Sequence, residues 1–368
     1  MNPFSYFNPV QISFGEECWN QLGSEIKGSK CLIVTSSGWA SRGMIQNLEK
    51  ITNPSYILDT VPSNPDLKYL ESILPSLESV QYETVVALGG GSVLDCAKVL
   101  SYRFFGGSNQ KMLEFLKSGK GPDADLICDL FVIPTTAGTG SEVTPWGTIW
   151  DFKEKKKYSI HSPKLWPKSC YLDPFLTRSL PRSLTISGAL DAFSHSLESI
   201  WNKNWNPISQ DHAIQAARTI WKVLPRLLVD LGDMESRSKI QLAATQAGLA
   251  FSNTKTAIAH ALSYPVTTWF DVPHGIACSF TLPDIVETCL ETDSRVSEAL
   301  VSIFGEEPEK EIRSFFKDID VPTRWQDYGA DLEFLESIKE DVASNPRMSN
   351  SLVPLESLFQ KWVKNLKS

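Results

Sequence analysis

The hydrophobic periodicity of this 368-residue chain changes near Leu180-Pro181, and this change constrains the fold more than any other feature. Before it, amphipathic stretches alternate with short β-rich runs at Cys31–Thr35, Tyr56–Leu58, Thr84–Leu88 and Leu130–Ile133. Such alternation is typical of βαβ units and predicts a mainly parallel sheet. After it, the pattern is helical to the C-terminus. The sequence therefore predicts an α/β domain over residues 1–180 and an all-α domain over residues 181–368.

Composition and charge exclude two classes of binding partner for this chain, nucleic acids and membranes. The net charge of −8 argues against a nucleic-acid partner, because a nucleic-acid-binding surface needs excess positive charge. Seven cysteines without a C-x-x-C pair indicate reduced, partly buried thiols, as in a cytoplasmic protein. Neither a secretory signal nor an apolar run of membrane-spanning length is visible, so no membrane partner is expected.

Three consecutive glycines follow the apolar run at Thr84–Leu88, in the segment Leu88-Gly-Gly-Gly-Ser-Val-Leu-Asp-Cys-Ala-Lys98. Glycine lets the backbone approach a ligand closely and adopt positive φ. Ser92 then begins an amphipathic stretch, whose first N–H groups and dipole favour a pyrophosphate. This context predicts a phosphate-binding turn, although the run is not the G-x-G-x-x-G fingerprint. A plain tight turn is the alternative interpretation.

A second turn of small residues leaves the next β-rich run, in Ile133-Pro-Thr-Thr-Ala-Gly-Thr-Gly-Ser-Glu-Val143. By itself this segment reads as a flexible loop. Two such turns at the carboxyl ends of strands in one α/β domain favour a nucleotide-binding cleft.

Three of the five histidines lie in two short segments with the spacing of metal ligands. Asp191 and His195 are four residues apart, which places both side chains on one face of a helix. His260 and His274 bracket the second segment. One carboxylate and three imidazoles suit Fe²⁺ or Zn²⁺ and leave a position open for a substrate oxygen that the metal would polarise. The alternative is that these are ordinary polar residues of helix faces and turns.

Four motifs, in their order along the chain, resemble the iron-containing (group III) alcohol dehydrogenase family. They are Gly89–Lys98, Pro134–Glu142, Gly188–Glu198 and His260–Gly275. The resemblance covers nearly the whole chain. It implies an N-terminal α/β dinucleotide-binding domain, an all-α C-terminal metal-binding domain, and a cleft between them for metal and substrate. It further implies a small-molecule aldehyde or alcohol substrate and a homodimer.

The resemblance also implies roles for individual residues. The metal, Fe²⁺ with Zn²⁺ as the alternative, would have four ligands: Asp191, His195, His260 and His274. The cofactor would contact Gly89, Gly90, Gly91 and Ser92 at its pyrophosphate, Asp95 near the nicotinamide, Thr135, Thr136 and Thr139 at its adenine and ribose, and Lys157.

The chain departs from the commonest family pattern at two positions. Tyr264 stands where many members have a second histidine, and a tyrosine hydroxyl with a pKa near 10 is a poor base at neutral pH, which leaves the proton route open. Ser36 stands where members that prefer NAD(H) often carry an aspartate. Without that carboxylate a 2′-phosphate is not repelled, and Arg42 could approach it, so NADP(H) is expected over NAD(H).

Two further runs, Glu198–Ser209 and Asn253–Pro265, look like the phosphonoacetaldehyde reductase branch and the related 3-deoxy-octulosonate oxidases. Lys255 lies five residues before His260, where its cation could face an anionic substrate group. The alternative is a surface or helix-cap lysine. The residues expected at the substrate are therefore Lys255, Tyr264 and Asn253, with Thr256 and Ser263 as further hydrogen-bonding groups.

The predicted activity is metal-dependent interconversion of an aldehyde and a primary alcohol with NAD(P)H, and an anionic aldehyde such as phosphonoacetaldehyde is one candidate substrate. A sugar-acid alcohol oxidase of the 3-deoxy-octulosonate 8-oxidase type and a general dehydrogenase of small alcohols are alternatives. More distant alternatives are a sugar-phosphate cyclase of the dehydroquinate synthase type, a polyol dehydrogenase and a catalytically inactive binding protein.

Overall fold

The apolar runs of the N-terminal half form a parallel sheet in the computed structural model, which describes residues 3–102, 114, 116–118, 127–154 and 156–367. The strands are β1 (Gln11–Phe14), β2 (Cys31–Thr35), β3 (Tyr56–Leu58), β4 (Thr84–Gly89), β5 (Asp129–Pro134), β6 (Trp146–Asp151), β7 (Lys156–His161) and β8 (Ser169–Leu172). Six of them pair in the order β1-β8-β5-β4-β2-β3, with every pairing parallel, and β6 and β7 form an antiparallel hairpin.

The four predicted β-rich runs coincide with β2, β4 and β5 in the interior of this sheet and with β3 at its edge. Strands β2, β4 and β5 are buried on both faces, as expected of a parallel sheet that is covered by helices, and they read as continuous apolar segments for that reason. The strands β1 and β8 were not predicted. Residue Gln11 pairs with Ser169, and a pairing of such long range leaves no local pattern in the sequence.

The helices of the α/β part are α1 (Leu22–Glu25), α2 (Ser37–Ala40), α3 (Met44–Thr52), α4 (Leu67–Leu77) and α5 (Gly91–Ser101). Asp66 caps α4 by accepting a hydrogen bond from the backbone N–H of Tyr69 at 2.8 Å. Strand β2 lies between β3 and β4, so the chain reverses its direction of winding at this point of the sheet. Ligands of open α/β sheets bind outside the carboxyl ends of the strands at such a switch point.

The C-terminal half is helical within the described residues. Its helices are α6 (Arg182–Ile200), α7 (Pro207–Val229), α8 (Met234–Thr254), α9 (Ile258–Phe270), α10 (His274–Ala277), α11 (Leu282–Cys289), α12 (Ser294–Phe304), α13 (Pro308–Asp318), α14 (Leu332–Ser344) and α15 (Leu355–Lys367). Apolar faces of these helices share one large core. No helix in the described part of the chain is both long and apolar enough to span a membrane.

The predicted fold class, a parallel α/β part followed by a helical part, is confirmed. The helical stretch that begins at Leu282 is interrupted at Asp293. Its carboxylate accepts hydrogen bonds from the backbone N–H groups of Arg295 and Val296 and so begins a new helix, α12.

The chain divides into two compact units. The α/β unit consists of Asn8–Thr136 and Ser141–Thr177. The helical unit consists of Met1–Phe7, Ala137–Gly140 and Arg178–Ser368. The segment Ala137–Gly140 therefore belongs to the helical unit although it lies within the second glycine-rich turn. The domain boundary after residue 180 stays a prediction.

Candidate active site

The four predicted metal ligands lie on three helices of the helical unit. Asp191 and His195 are on α6, one turn apart, while His260 is on α9 and His274 begins α10. The helix α6 is buried along most of its length, so the carboxylate and the imidazole on its face are enclosed by protein. The structure brings all four side chains together.

The three imidazoles converge on one carboxylate oxygen. The distances from Asp191 Oδ1 to Nε2 are 3.8 Å for His195, 3.4 Å for His260 and 3.9 Å for His274. Two ligand atoms of one metal ion, each about 2.1 Å from it, lie at most about 4.2 Å apart. All three separations fall within that limit, so each imidazole nitrogen can share an ion with Asp191.

Two atoms at this point of convergence have no hydrogen-bond partner among the described residues. They are Asp191 Oδ1 and His260 Nε2, and both side chains are almost fully buried. An unsatisfied buried polar group costs about 1–3 kcal/mol, and two of them side by side are rare in a folded protein. A divalent cation would satisfy both atoms, so these residues fit the metal that their spacing predicts.

His195 is held by aromatic contacts on its ring. It stacks on His260 at 4.5 Å and on Phe251 at 4.0 Å between ring centroids. Burial lowers the pKa of His195 to about 4. The ring is therefore neutral at neutral pH, and a neutral imidazole is the form that donates a lone pair to a metal.

His260 is oriented by a buried carboxylate that was not predicted. Glu198 Oε2 lies 2.7 Å from His260 Nδ1, and Glu198 Oε1 accepts the backbone N–H of His260 at 3.1 Å. Although burial opposes ionisation, His260 holds the pKa of Glu198 below its usual range. A carboxylate bound to Nδ1 directs Nε2 toward a metal and increases its basicity. The sequence signal was available, because Glu198 follows His195 by three residues on the same helix.

Glycines let the helices around these residues approach closely. A Cβ on Gly275 would lie 1.8 Å from the backbone oxygen of Ser187, and a Cβ on Gly188 would lie 2.7 Å from the oxygen of Ala137. Neither position has room for a larger residue. The tight packing of α10 on α6 at Gly275 places His274 opposite Asp191.

The three residues predicted at the substrate have different surroundings. Tyr264 is half-buried on α9, and its ring stacks on His274 with 6.4 Å between centroids. Lys255 is exposed at the C-terminal end of α8, with a positive φ of 65°. Asn253 holds the backbone of Phe7 by two hydrogen bonds, at 2.9 and 3.1 Å. Tyr264 thus contacts a predicted metal ligand, and the roles of all three residues stay predictions.

In the α/β unit, the first glycine-rich turn joins β4 to α5. Gly89 ends the strand, Gly90 caps the helix and Gly91 begins it, which leaves the N–H groups of the first turn without intrahelical acceptors. Ser92 Oγ accepts the backbone N–H of Asn64 at 2.9 Å. A Cβ on Gly90 would lie 2.9 Å from Thr136, so the two glycine-rich turns touch each other. This arrangement fits a pyrophosphate at the switch point of the sheet.

Two of the residues predicted at the adenine and ribose, Thr135 and Thr136, adjoin that turn. Thr135 follows β5 and accepts a hydrogen bond from Trp39 Nε1 at 3.2 Å. Ser36 caps the short helix α2, and the guanidinium of Arg42 lies 4.9 Å over the Trp39 ring. Thr139 is exposed and belongs to the segment of the helical unit. Trp39 lies outside every predicted motif, yet it links the ends of β2 and β5.

Sequence models of one known family match both parts of this chain. The model of the iron-containing alcohol dehydrogenase matches residues 9–174, and that of the C-terminal part of the Fe-containing alcohol dehydrogenase family matches residues 185–352. An alcohol dehydrogenase of Thermococcus barophilus is 30% identical over 346 residues, which are 90% of this chain and 89% of the relative. This chain belongs to the iron-containing alcohol dehydrogenase family.

Other similar proteins act on charged aldehydes. A phosphonoacetaldehyde reductase of Streptomyces viridochromogenes is 31% identical over 66% of this chain and 62% of that protein. The crystal structure of sulfoacetaldehyde reductase from Bifidobacterium kashiwanohense in complex with NAD⁺ has a TM-score of 0.91 and 28% identity, and all of both chains is covered. The predicted family and reaction class, with aldehyde reductases and alcohol dehydrogenases among the relatives, are confirmed.

A cysteine of this family member joins the predicted ligands. Cys278 is fully buried, four residues after His274, and its Sγ lies 3.6 Å from His274 Nε2. One ligand atom each of Asp191, His260, His274 and Cys278 lies within 4.8 Å of the others. The i, i+4 spacing from His274 is the signal that sequence reasoning missed.

Asp95, predicted near the nicotinamide, is bound within the α/β unit. Its carboxylate accepts the Ser141 hydroxyl at 2.8 Å and the Thr148 N–H at 3.0 Å. One turn further along α5, Lys98 is completely buried and donates to Ser141 and to the backbone oxygen of Trp146. Together these two side chains hold the segment that follows the second glycine-rich turn.

Lys157 lies on β7, with its ammonium 5.0 Å over the Trp150 ring. Burial raises the pKa of Asp95, while Lys98 and Lys157 act against this rise. Lys157 thus contributes positive charge to the surroundings of Asp95, and the roles of both residues at the cofactor stay predictions.

Proposed function

We propose that this chain is a metal-dependent oxidoreductase that interconverts an aldehyde and a primary alcohol with NAD(P)H. The observation that carries the proposal is the convergence of three imidazole Nε2 atoms on Asp191 Oδ1, within the reach of one ion. A set of one carboxylate and three imidazoles leaves a coordination position for a substrate oxygen.

Asp191, His195, His260 and His274 would hold the metal, with Fe²⁺ proposed and Zn²⁺ as the alternative. Cys278 offers a sulfur atom at the same place. A divalent metal, when bound, supplies Lewis-acid polarisation of a carbonyl oxygen. Glu198 keeps His260 in the orientation that this requires, because it binds both the ring and the backbone of that residue.

The dinucleotide would lie at the carboxyl ends of β2, β4 and β5. Gly89, Gly90, Gly91 and Ser92 would bind its pyrophosphate through the N-terminus of α5. Hydride transfer is the chemistry that the nicotinamide brings. Thr135, Thr136, Thr139, Asp95 and Lys157 are the further residues proposed at this cofactor.

The choice between the two cofactors depends on Ser36. A carboxylate at this position would repel a 2′-phosphate, and the serine does not. Arg42 lies six residues further on, with its guanidinium over the Trp39 ring, where it adds positive charge. We propose NADP(H) as the preferred cofactor and NAD(H) as the alternative.

Tyr264 is proposed to guide the proton. Its ring stacks on His274, so its hydroxyl is carried on a side chain that contacts a metal ligand. The hydroxyl can donate a hydrogen bond to a substrate oxygen while it accepts one from water, and it need not ionise to do so. Lys255 and Asn253 remain proposed substrate residues at the end of α8.

The substrate is proposed to be a small aldehyde with a negatively charged group. Relatives that act on phosphonoacetaldehyde and sulfoacetaldehyde support this choice. A general dehydrogenase of small alcohols is the second candidate, because the similar protein of Thermococcus barophilus is described only as an alcohol dehydrogenase. We further propose a cytoplasmic homodimer.

Metal-loaded protein mixed with NADPH or NADH and an aldehyde provides the test. The expected result is oxidation of the nicotinamide, followed at its absorbance maximum, that depends on added Fe²⁺ or Zn²⁺ and is absent from His260→Ala. Reduction of butyraldehyde with a better kcat/KM than phosphonoacetaldehyde would favour the general dehydrogenase. Failure to reduce any aldehyde with either cofactor would contradict the proposal.

A further inference from the structure

We propose that Arg347 binds the anionic group of the substrate. The inference rests on the proposed function and deepens it, because it names the side chain that would make the enzyme select a charged aldehyde. Arg347 lies in none of the predicted motifs. It is distant in sequence from every predicted ligand and comes near them only in the fold.

Arg347 contacts the side chain that stacks on a predicted metal ligand. Its guanidinium carbon lies 4.9 Å over the ring of Tyr264, and the Tyr264 ring in turn stacks on His274. Arg347 Nε donates a hydrogen bond to Thr256 Oγ1 at 3.0 Å. The guanidinium is therefore fixed at two points, by a hydroxyl and by an aromatic face, beside the predicted metal centre.

No carboxylate among the described residues lies within ion-pair distance of Arg347. The contrast is with Arg313 and Arg324, whose guanidinium groups each bind an acidic side chain of the same unit. Because Nε is used by Thr256, the two Nη groups of Arg347 remain for a ligand. They form the planar pair of donors that binds a phosphonate, sulfonate or carboxylate at two oxygens.

The segment that carries Arg347 is held firmly in place. It is a short 3₁₀ helix, Pro346–Asn350, and Asn350 donates from Nδ2 to the backbone oxygen of Thr256 at 2.9 Å. Asn204 donates to Asn350 Oδ1 at 3.1 Å, and the backbone N–H of Lys203 donates to the backbone oxygen of Asn350 at 2.7 Å. A donor pair that is already positioned loses little conformational freedom when an anion binds.

Lys255 is the competing cation, since its place in the sequence also suggested an anion-binding role. Its side chain is exposed, whereas Arg347 is half-buried against Thr256 and Tyr264. A half-buried guanidinium binds an anion more strongly than an exposed ammonium, because less water screens the pair. The structure therefore favours Arg347 over Lys255.

The test compares a charged aldehyde with an uncharged one in four proteins: wild type, Arg347→Gln, Lys255→Gln and the control Lys203→Gln, which removes an exposed cation next to Asn350. The substrates are phosphonoacetaldehyde, sulfoacetaldehyde and butyraldehyde, with saturating NADPH or NADH. We expect Arg347→Gln to lower the kcat/KM ratio of charged to uncharged aldehyde at least about tenfold, mostly through KM, because the charge-assisted hydrogen bonds to the anion are lost. Lys203→Gln should leave this ratio within about twofold.

Calorimetric titration with ethylphosphonate and ethanesulfonate gives a readout without turnover. Wild type should bind at least one of these anions, and Arg347→Gln should lose at least about tenfold in affinity. The anion that binds more tightly tells whether the phosphonate or the sulfonate is the better fit. Arg347→Lys should recover only part of the affinity, because an ammonium lacks the paired donors.

Equal losses on charged and uncharged aldehydes in Arg347→Gln, with unchanged binding of the anions, would overturn the inference while the proposed function stands. A selective loss in Lys255→Gln alone would transfer the role to Lys255 and also overturn it. If no aldehyde is reduced by wild type although ethylphosphonate binds and Arg347→Gln abolishes binding, the proposed function fails and the anion site stands.

Discussion

Glu198 binds His260 at two points, with one carboxylate oxygen on the ring Nδ1 at 2.7 Å and the other on the backbone N–H at 3.1 Å. Both groups are buried, so the carboxylate has no water to replace these contacts. The pair fixes which ring nitrogen of His260 faces Asp191. A metal that binds there meets a ligand already turned toward it, and the pair is therefore part of the site although Glu198 itself contacts no substrate.

Glu198→Gln should weaken metal binding by about 10- to 100-fold, because the amide cannot accept from both donors of His260 and its own N–H groups would face one of them. Competition titration with a chromophoric chelator measures the affinity for Zn²⁺. The matched control is Glu298→Gln, which changes an exposed glutamate of α12. Equal affinities in Glu198→Gln and wild type would show that the contact does not support a metal ligand.

A divalent metal should stabilise wild type but not Asp191→Asn. Binding to the folded state adds about 4 kcal/mol to the free energy of unfolding when the free metal is 1,000-fold above its Kd. Thermal melts with and without Fe²⁺ under anaerobic conditions, and with Zn²⁺, measure the shift in Tm. Asp211→Asn, an exposed residue of α7, should respond like wild type. A metal-dependent rise of Tm in Asp191→Asn as large as in wild type would rule out this carboxylate as a ligand.

Lys98→Met should destabilise the protein by at least about 3 kcal/mol. The ammonium is fully buried and has four acceptors, on Ser141, Thr144 and Trp146. Its loss removes these four hydrogen bonds and a positive charge that offsets the carboxylate of Asp95. Urea unfolding measures the difference. Lys68→Met, on the exposed face of α4, should change stability by less than about 0.5 kcal/mol.

The same lysine gives a pH dependence of known sign. Burial lowers the pKa of Lys98 to about 8, from 10.5 in the unfolded chain. Below pH 8 the Lys98 amine is protonated in the folded and in the unfolded state, and the full cost of burying its charge lowers the free energy of unfolding. Between pH 8 and 10.5 the unfolded state binds more protons, so the contribution of Lys98 to stability rises with pH. The unfolding free energy of wild type minus that of Lys98→Met should grow by up to about 3 kcal/mol over this range, and a decrease would contradict the assignment.

Ser36→Asp should shift cofactor preference toward NADH. A carboxylate at the end of β2 would repel a 2′-phosphate and could accept hydrogen bonds from a ribose. Steady-state kinetics with both cofactors should show the ratio of kcat/KM for NADPH to that for NADH falling at least about tenfold. Ser41→Asp, on an exposed residue a few positions further on, is the control for added negative charge. An unchanged ratio in Ser36→Asp would place the adenosine ribose elsewhere.

The central strands and the pair Asp191 and His195 could be predicted because each is a local pattern. Apolar runs between turns mark β2 to β5, and a spacing of four puts two side chains on one helix face. His260 and His274 could be proposed only together with that pair, because nothing local shows that three helices meet. Sequence spacing fixes the relative positions of two side chains on one helix, whereas the relative positions of side chains on different helices depend on how the helices pack.

Other residues of the site escaped prediction because their roles depend on contacts between distant segments. Glu198 belongs to the site because it binds His260, and Cys278 belongs to it because its Sγ lies close to His274. Arg347 reaches Tyr264 across more than eighty positions of sequence. Asn253 shows the opposite case, since its place before a predicted ligand suggested a substrate contact, while its amide holds the backbone of Phe7.

Gly275 tolerates substitution less than the metal ligands do, because the packing of two helices leaves no space for a side chain there. A substitution such as Asp191→Asn changes a donor atom and adds no carbon to the contact between these helices. A single added carbon at position 275 would collide with the backbone of Ser187, and no rotamer could avoid the collision because Cβ itself is the atom in conflict. Replacing this glycine would therefore first require two helices to separate, so position 275 is closed to any side chain while the present helix packing is kept.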